Sequence, residues 1–396
     1  MNKKILALLG AGHAITDLNQ GALPILLTFL QPVLGLSQLQ VGAVMMTMTL
    51  GSSFVQPLFG IFSDRFRAAW LVPLGCLLAG VGMGLVGLFP NYTLLLVLST
   101  ISGLGIAAFH PEGSKFARLA SGSKKASGMS LFAAGGNIGF AAGPVLAGVL
   151  FSLAGLSGSV GFMVINGAMA ALLWASISTI TGTKNKPLAN DPGEKEKIKG
   201  LSTGISRKTL AAVLLLVVVV IMRSWVHMGM VTFLPQYYVL ARHQTQAYAA
   251  AITSVFLIAG AVGTFLGGPI ADRWGLKNTI AGSMLLQIPL LYFFNHSPGG
   301  LWDPFIVGIT GFAVISTFAV TVVLGQELLP NNVGLASGLM LGFAIGMGGL
   351  GAALLGWIGD HWGFTTIFNI MMLFPVVGLF FSLFLPRQVT RVKQAH

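Results

Sequence analysis

Asp17 stands 13 residues past Lys4 inside a long apolar run, with His13 one helical turn before it and Gln20 continuing the same face. At 1.5 Å per residue a helix rises about 20 Å over that stretch, which sets Asp17 near the middle of a bilayer. In a second apolar run, Arg223 lies 15 residues past Lys208, at similar depth, with His227 one turn further on. A charge at a bilayer centre costs about 2.5–3.5 kcal/mol on insertion scales, so charges kept there are functional candidates by default. Two chemistries suit these types: a carboxyl carries a proton, and a guanidinium holds an anion. Low dielectric favours a protonated carboxyl and a nearby guanidinium favours an ionised one. An anion arriving at Arg223 would then release Asp17 to take a proton. The competing reading is a permanent structural ion pair between the two. For His13 and His227, proton tuning, donation to a ligand and plain polar packing stand side by side.

Other polar residues join this set. His110 and Glu112 fall nearer the end of the fourth apolar run. Glu112 and Lys115 are spaced to pair on a helix. A second proton site or gate competes there with a structural network. Glu327, close before Pro330, reads as a gate contact. Gln236 and Tyr237, at the end of the seventh run, are candidates to line an outer cavity. No cluster has metal-ligand spacing and no cofactor motif stands out, so neither a metal nor a cofactor is expected.

The elements that position these residues follow from composition. Of 396 residues, 8% are charged and 55% apolar, and the mean hydropathy is +0.84. A soluble domain averages about 25% charged residues, so lipid must be the main solvent. A spanning helix needs roughly 20 apolar residues. About twelve such runs are legible by that measure, near 5–30, 38–62, 69–89, 93–117, 126–152, 160–182, 208–240, 246–270, 279–295, 303–328, 334–358 and 364–385. The class is an all-α membrane protein. The net charge of +12 would otherwise suggest nucleic acid. In a twelve-span scheme, however, nearly every Lys and Arg falls on one side, leaving Arg242 opposite and Arg223 within a span. The positive-inside rule puts that side, with both termini, in the cytoplasm. Met1 to Lys4 and the run behind them read as a first span rather than a cleaved signal. Cys76 is the single cysteine, so no intramolecular disulfide can form.

The chain also repeats itself. Gly60-Ile61-Phe62-Ser63-Asp64-Arg65 and Gly268-Pro269-Ile270-Ala271-Asp272-Arg273 both lie between apolar runs, 208 positions apart. Ala126-Ser127-Gly128 recurs as Ala336-Ser337-Gly338, and Gly136 and Gly139 recur as Gly346 and Gly349. Gly21 matches Gly229. Two related halves are therefore expected, 1–182 and 208–396, joined by a polar cytoplasmic linker over 183–207. A carboxylate in such a turn can cap the N-terminus of a neighbouring helix, and an arginine can bridge to another. Gly60, Asp64, Arg65, Gly268, Asp272 and Arg273 thus form a candidate latch on the cytoplasmic side. Glycines within spans let helix backbones approach closely, for static packing or for rocking.

Twelve spans, a central linker and paired G-x-x-x-D-R turns resemble the major facilitator superfamily over the whole chain. That resemblance implies two pseudo-symmetric six-helix bundles, alternating access and a monomer. The run Gly135-Gly136-Asn137-Ile138-Gly139-Phe140-Ala141-Ala142-Gly143-Pro144 is similar to the signature of its antiporter branch. It implies gating roles for Gly139, Gly143 and Pro144, because a proline bends the helix and glycines permit close contact. Phe109-His110-Pro111-Glu112-Gly113-Ser114 resembles a segment of fosmidomycin-resistance-type efflux proteins. That likeness implies proton-driven export of a toxic compound, with an anionic phosphonate as the family's name-giving substrate. Drug exporters often carry an arginine where this chain has Ser99, so coupling cannot be carried over from that residue.

The leading expectation is a secondary transporter exporting a small antibiotic-like molecule by proton antiport across a bacterial inner membrane. Its partners would be the substrate, protons and lipid, with no nucleic acid. Asp17, His110 and Glu112 are the proton-coupling candidates. His13, Asp17, Gln20, Arg223, His227, Gln236 and Tyr237 are the substrate candidates. The alternatives are proton-coupled uptake or uniport of a small organic anion, and a membrane sensor that binds without transport. An enzyme is not expected: no serine–histidine pair, H-E-x-x-H or paired aspartates occur in facing spans, and no phosphate-binding loop is present.

Overall fold

Asn2 starts the first helix by accepting the N–H of Ile5 on its side chain at 3.3 Å. The helix α1 (Lys3–Leu34) then runs unbroken until Gly35 ends it in the left-handed conformation at φ 61°. The computed structural model describes residues 1–66, 68–122, 124–182, 206–330, 335–336 and 338–386. For 61, 63–66, 125–127, 341 and 344–345 it describes the backbone alone. The linker expected over 183–207 lies almost wholly outside the described residues, and so do the side chains of Asp64 and Arg65.

The chain continues through α2 (Gln38–Ser53), α3 (Gln56–Phe66), α4 (Leu71–Val86), α5 (Tyr92–Ser121), α6 (Lys125–Ala154), α7 (Val160–Ala175) and α8 (Ile177–Gly182). A second set follows: α9 (Arg207–Gln236), α10 (Gln246–Trp274), α11 (Leu276–Asn295), α12 (Trp302–Ile315), α13 (Phe318–Leu328), α14 (Ala344–Met371) and α15 (Leu373–Ser382). Among the described residues, seven helical stretches are long and apolar enough to cross a bilayer. Two of them, 128–175 and 346–382, are long enough for two passes and turn at Gly155 and Gly363, the latter at φ 79°. With α1, α4 and α11 the chain makes the twelve passes expected, six in each half. It is an all-α fold of two pseudo-symmetric bundles.

Passes two and ten are each built from two helices. Pro57 has no N–H to continue the ladder, and the chain breaks between α2 and α3 at Phe54–Val55. The partner break, between α12 and α13, falls at Ser316–Thr317. Both breaks lie at the same depth, where the halves face one another.

We call the side carrying Met1 the terminal face and the other the distal face. Asn2 donates its N–H to Ala120 O at 2.7 Å, which ties the chain start to the end of α5 on the terminal face. The halves meet tightly on the distal side. A Cβ on Gly42 would stand 2.4 Å from Ala352 O, and one on Gly356 would stand 2.2 Å from Gln38 O. The α2 and α14 backbones therefore touch. Ser254 Oγ donates to Ala141 O at 2.8 Å, joining α10 to α6 just before Pro144. Gln236 Nε2 reaches Pro24 O at 3.5 Å. Among the described residues, every hydrogen bond between the halves lies on the distal side of the central cavity.

Candidate functional site: a cavity between the halves

The cavity has a volume of about 280 Å³ and lies at the two helix breaks. From the first half it is lined by Asp17 and Gln20 on α1, Ser52, Ser53 and Gln56 at the first break, His110 on α5, and Gly136, Asn137 and Phe140 on α6. From the second half come Arg223, Ser224, His227 and Met228 on α9, with Ile315 and Phe318 at the second break.

On the first-half wall, Asp17 sits between two imidazoles. Its Oδ2 is 3.1 Å from His13 Nε2 and its Oδ1 is 3.1 Å from His110 Nε2. The two Nε2 atoms are 3.0 Å apart. Each ring is held from behind: His13 Nδ1 is 2.8 Å from Phe132 O, and His110 Nδ1 is 2.9 Å from Ile106 O. A carbonyl can only accept, so both Nδ1 atoms carry hydrogen and donate. In a neutral imidazole the other nitrogen then presents a lone pair. Two lone pairs and a carboxylate thus converge with no hydrogen of their own between them, an arrangement that closes once an added proton is shared among them. The ligand atoms of the three lie within 4.8 Å of one another, near enough for one small cation, a proton or a metal ion, to bridge them. Phe132 stacks on His13 with ring centroids 4.2 Å apart. Gly136 closes the set from above: a Cβ there would stand 2.4 Å from His13 Nε2 and 2.8 Å from Asp17 Oδ2.

The opposite wall carries Arg223. Its side chain is 1% exposed, its guanidinium lies 4.4 Å over the Phe318 ring, and none of its three nitrogens has a hydrogen-bond partner. Leaving a buried charge unpaired costs several kcal/mol. His227, one turn on, stacks against Phe256 at 6.0 Å and also borders the cavity. The permanent Asp17–Arg223 pair is not what forms, because the two imidazoles on its own wall engage Asp17 instead.

The remaining candidates divide by position. His13 lies behind the wall, touching Asp17 rather than lining the cavity. Glu112 is fully buried and pairs with Lys115 at 3.3 Å, as its helix spacing implies, away from the cavity. Gln236 and Tyr237 sit in the distal closure, where Tyr237 packs on Phe294 and Phe368. Asp272, Arg273 and Glu327 are exposed on the terminal side. Among the described residues, Asp272 and Arg273 form no ion pair. Gly139 and Gly143 face α1 within their own half, where a Cβ would stand 1.9 Å from Ala14 O and 2.5 Å from Leu18 O respectively. Ser52, Ser53, Gln56, Asn137, Ser224 and Phe318 line the cavity without having been singled out in the sequence. The breaks that place Gln56 and Phe318 had a local signal at Gln56-Pro57, whereas Ser224 had none.

The Major Facilitator Superfamily sequence profile matches residues 9–341 and 241–395. The chain is 30% identical to the fosmidomycin resistance protein of Escherichia coli (strain K12), over 96% of this chain and 92% of that one. It is 32% identical to an uncharacterised MFS-type transporter, YfnC, of Bacillus subtilis (strain 168), over 95% and 91% respectively. Its fold matches a bacterial homologue of the human lysosomal transporter Spinster, solved inward-facing and unoccupied. The TM-score is 0.79 at 14% identity, with 96% of each chain covered.

Proposed function

We propose, from the premise that the chain belongs to the Major Facilitator Superfamily and is therefore a membrane transporter and not an enzyme, that it exports a small anionic compound in exchange for protons. The observation that carries this reading is the pair of facing walls. One holds Asp17 between His13 and His110, a set able to hold an added proton. The other holds Arg223, buried and with no hydrogen-bond partner on its three nitrogens. A phosphonate-like toxic compound fits the cationic wall, and the resemblance to a fosmidomycin resistance protein favours export.

In this reading the terminal face is cytoplasmic, the membrane is the bacterial inner membrane and the conformation is inward-facing. Asp17 and His110 carry the proton, with Glu112 and Lys115 a neighbouring pair on the same helix. Gln20, Arg223 and His227 contact the substrate, and His13 acts through Asp17. Gln236 and Tyr237 join the path when the distal side opens. The exposed Asp272 and Arg273, with Glu327 and the equivalent Asp64 and Arg65 beside Gly60 and Gly268, become the latch when the cytoplasmic side shuts. Pro144 and its glycines transmit that motion along α6. The halves 1–182 and 208–396 rock as units within one monomer around the 183–207 linker.

The test is uptake of a labelled phosphonate into everted membrane vesicles. Accumulation driven by an acidic vesicle interior, and collapsed by a protonophore, supports export by antiport. Accumulation only in right-side-out vesicles, driven by external acid, would move the reading to proton-coupled uptake. Binding without flux in either orientation would make the chain a sensor.

A further inference from the structure

His13 and Asp17 stand one turn apart on α1, and His110 joins them from α5, 97 positions away from His13. That separation hides the set from any ligand spacing along the chain. In space the three are close: His13 Nε2 and Asp17 Oδ2 are 3.1 Å apart, His110 Nε2 and Asp17 Oδ1 3.1 Å, and the two Nε2 atoms 3.0 Å. A proton lies on one donor–acceptor line at a time. Shared by one pair, it leaves the third group facing a neighbour's lone pairs. A metal ion accepts a lone pair from all three at once.

We propose that His13, Asp17 and His110 form a binding site for a divalent transition-metal ion of the zinc class. This goes beyond the exchange reading above and does not depend on which substrate the chain carries.

Four features support it. Bonds from zinc to imidazole nitrogen and carboxylate oxygen are about 2.0–2.2 Å long. At angles between a right angle and the tetrahedral value, such bonds set ligand atoms about 2.8–3.6 Å apart. All three separations fall in that range, so an ion enters without backbone movement. Each ring is also anchored from behind, because both Nδ1 atoms donate to main-chain carbonyls, those of Phe132 and Ile106. Metal-binding histidines are oriented by such partners. The residue above the set is Gly136, where a Cβ would stand 2.4 Å from His13 Nε2 and 2.8 Å from Asp17 Oδ2; any side chain there would crowd the point where the ligand atoms meet. Finally, Asp17 and His110 border the cavity. The ion therefore has an entry path and a coordination position open to water, as zinc sites with three protein ligands keep. Two nitrogen donors select zinc, nickel or cobalt over magnesium and calcium, which take oxygen ligands. An ion held there takes the place of the proton shared by the three groups, so metal and proton are alternative occupants.

The experiment is zinc titration of the full chain, without a polyhistidine tag, in lipid nanodiscs, read by calorimetry and by X-ray absorption at the zinc edge. His243, His296 and His361 are exposed and outside the site; all three are replaced by Asn in every sample to remove them as surface ligands. One zinc ion binds per chain, with a first shell of nitrogen and oxygen at about 2.0–2.2 Å and the outer-shell scattering of two imidazoles. His13→Gln and Asp17→Asn each weaken zinc binding by about 100-fold or more, beyond what an outer-shell partner contributes. No saturable zinc binding, a spectrum with fewer than two imidazoles, or a loss below about tenfold in either folded variant overturns the proposal. Thermal melting establishes that each variant folds, and the absorption spectrum decides the matter on the intact site where one does not. The titration contains no anionic substrate, so its failure leaves the export reading standing.

Discussion

Asp360 caps Gln38 across the two halves of the molecule: its Oδ1 accepts the Gln38 N–H at 2.5 Å, and its Oδ2 accepts the Leu39 N–H at 2.9 Å. A helix start leaves four N–H groups without intrahelical acceptors, and here all four are taken. Ser37 and Gln40 satisfy each other's through a capping box, and Asp360 supplies the other two from the far end of α14's first segment. The cap has the spacing of the terminal-face turns, because Gly356-Trp357-Ile358-Gly359-Asp360 repeats G-x-x-x-D on the opposite face. Asp360→Ala should therefore weaken the distal closure and raise the distal-open population about fivefold, in the range of a lost N-cap. Spin-label distances between the distal ends of α2 and α14 measure it, and an unchanged distance distribution would show that the cap does not hold the closure.

Glycines at the interface and within one half should behave differently. Gly42→Val puts side-chain atoms into the Ala352 backbone across the halves, so it should shift the conformational balance toward distal-open with little loss of thermal stability. Gly139→Val forces α6 away from α1 inside one bundle and should destabilise the fold by about 1–3 kcal/mol, as overpacking does. Melting curves set beside the same distance measurement distinguish the two. Similar loss of stability in both would remove the distinction.

Arg223→Ala should lower affinity for anionic substrates about tenfold or more, since a charge-assisted bidentate pair is lost. Neutral compounds of similar size should bind as before. The check is competition binding with matched charged and neutral probes.

Gly136→Ala places a methyl group against His13 Nε2 and Asp17 Oδ2. The imidazole must move, and the shared hydrogen-bonding of the set is broken. Proton-coupled transport should fall while substrate binding at Arg223, on the opposite wall, stays within about twofold. A variant with full coupling would mean that the compact geometry of the three groups is not required.

Much of this was legible in the chain. The length of the apolar runs placed the twelve passes, and depth counted from Lys4 and Lys208 set Asp17 and Arg223 level with each other, where both line the cavity. The local partners were harder to see. His13 precedes Asp17 by one turn and so could be read beside it, but His110 comes from a different helix, and only packing of α1 on α5 brings its Nε2 to Asp17. The competing reading of a permanent Asp17–Arg223 pair overlooked that competition. Gln236 and Tyr237 follow Arg223 by 13 and 14 residues, more than three turns further along, where the halves are closed. Asp360 had a readable motif, but with His361 in place of arginine and on the face opposite the other two copies.

The central claim is that Asp17, held by His13 and His110, couples protons to transport. Proton movement into proteoliposomes on adding a phosphonate substrate, for wild type and Asp17→Asn, tests it most directly. Substrate-triggered proton flux in the wild type that is lost in the variant, with substrate binding retained, is the predicted result. Proton flux undiminished in Asp17→Asn would contradict the account.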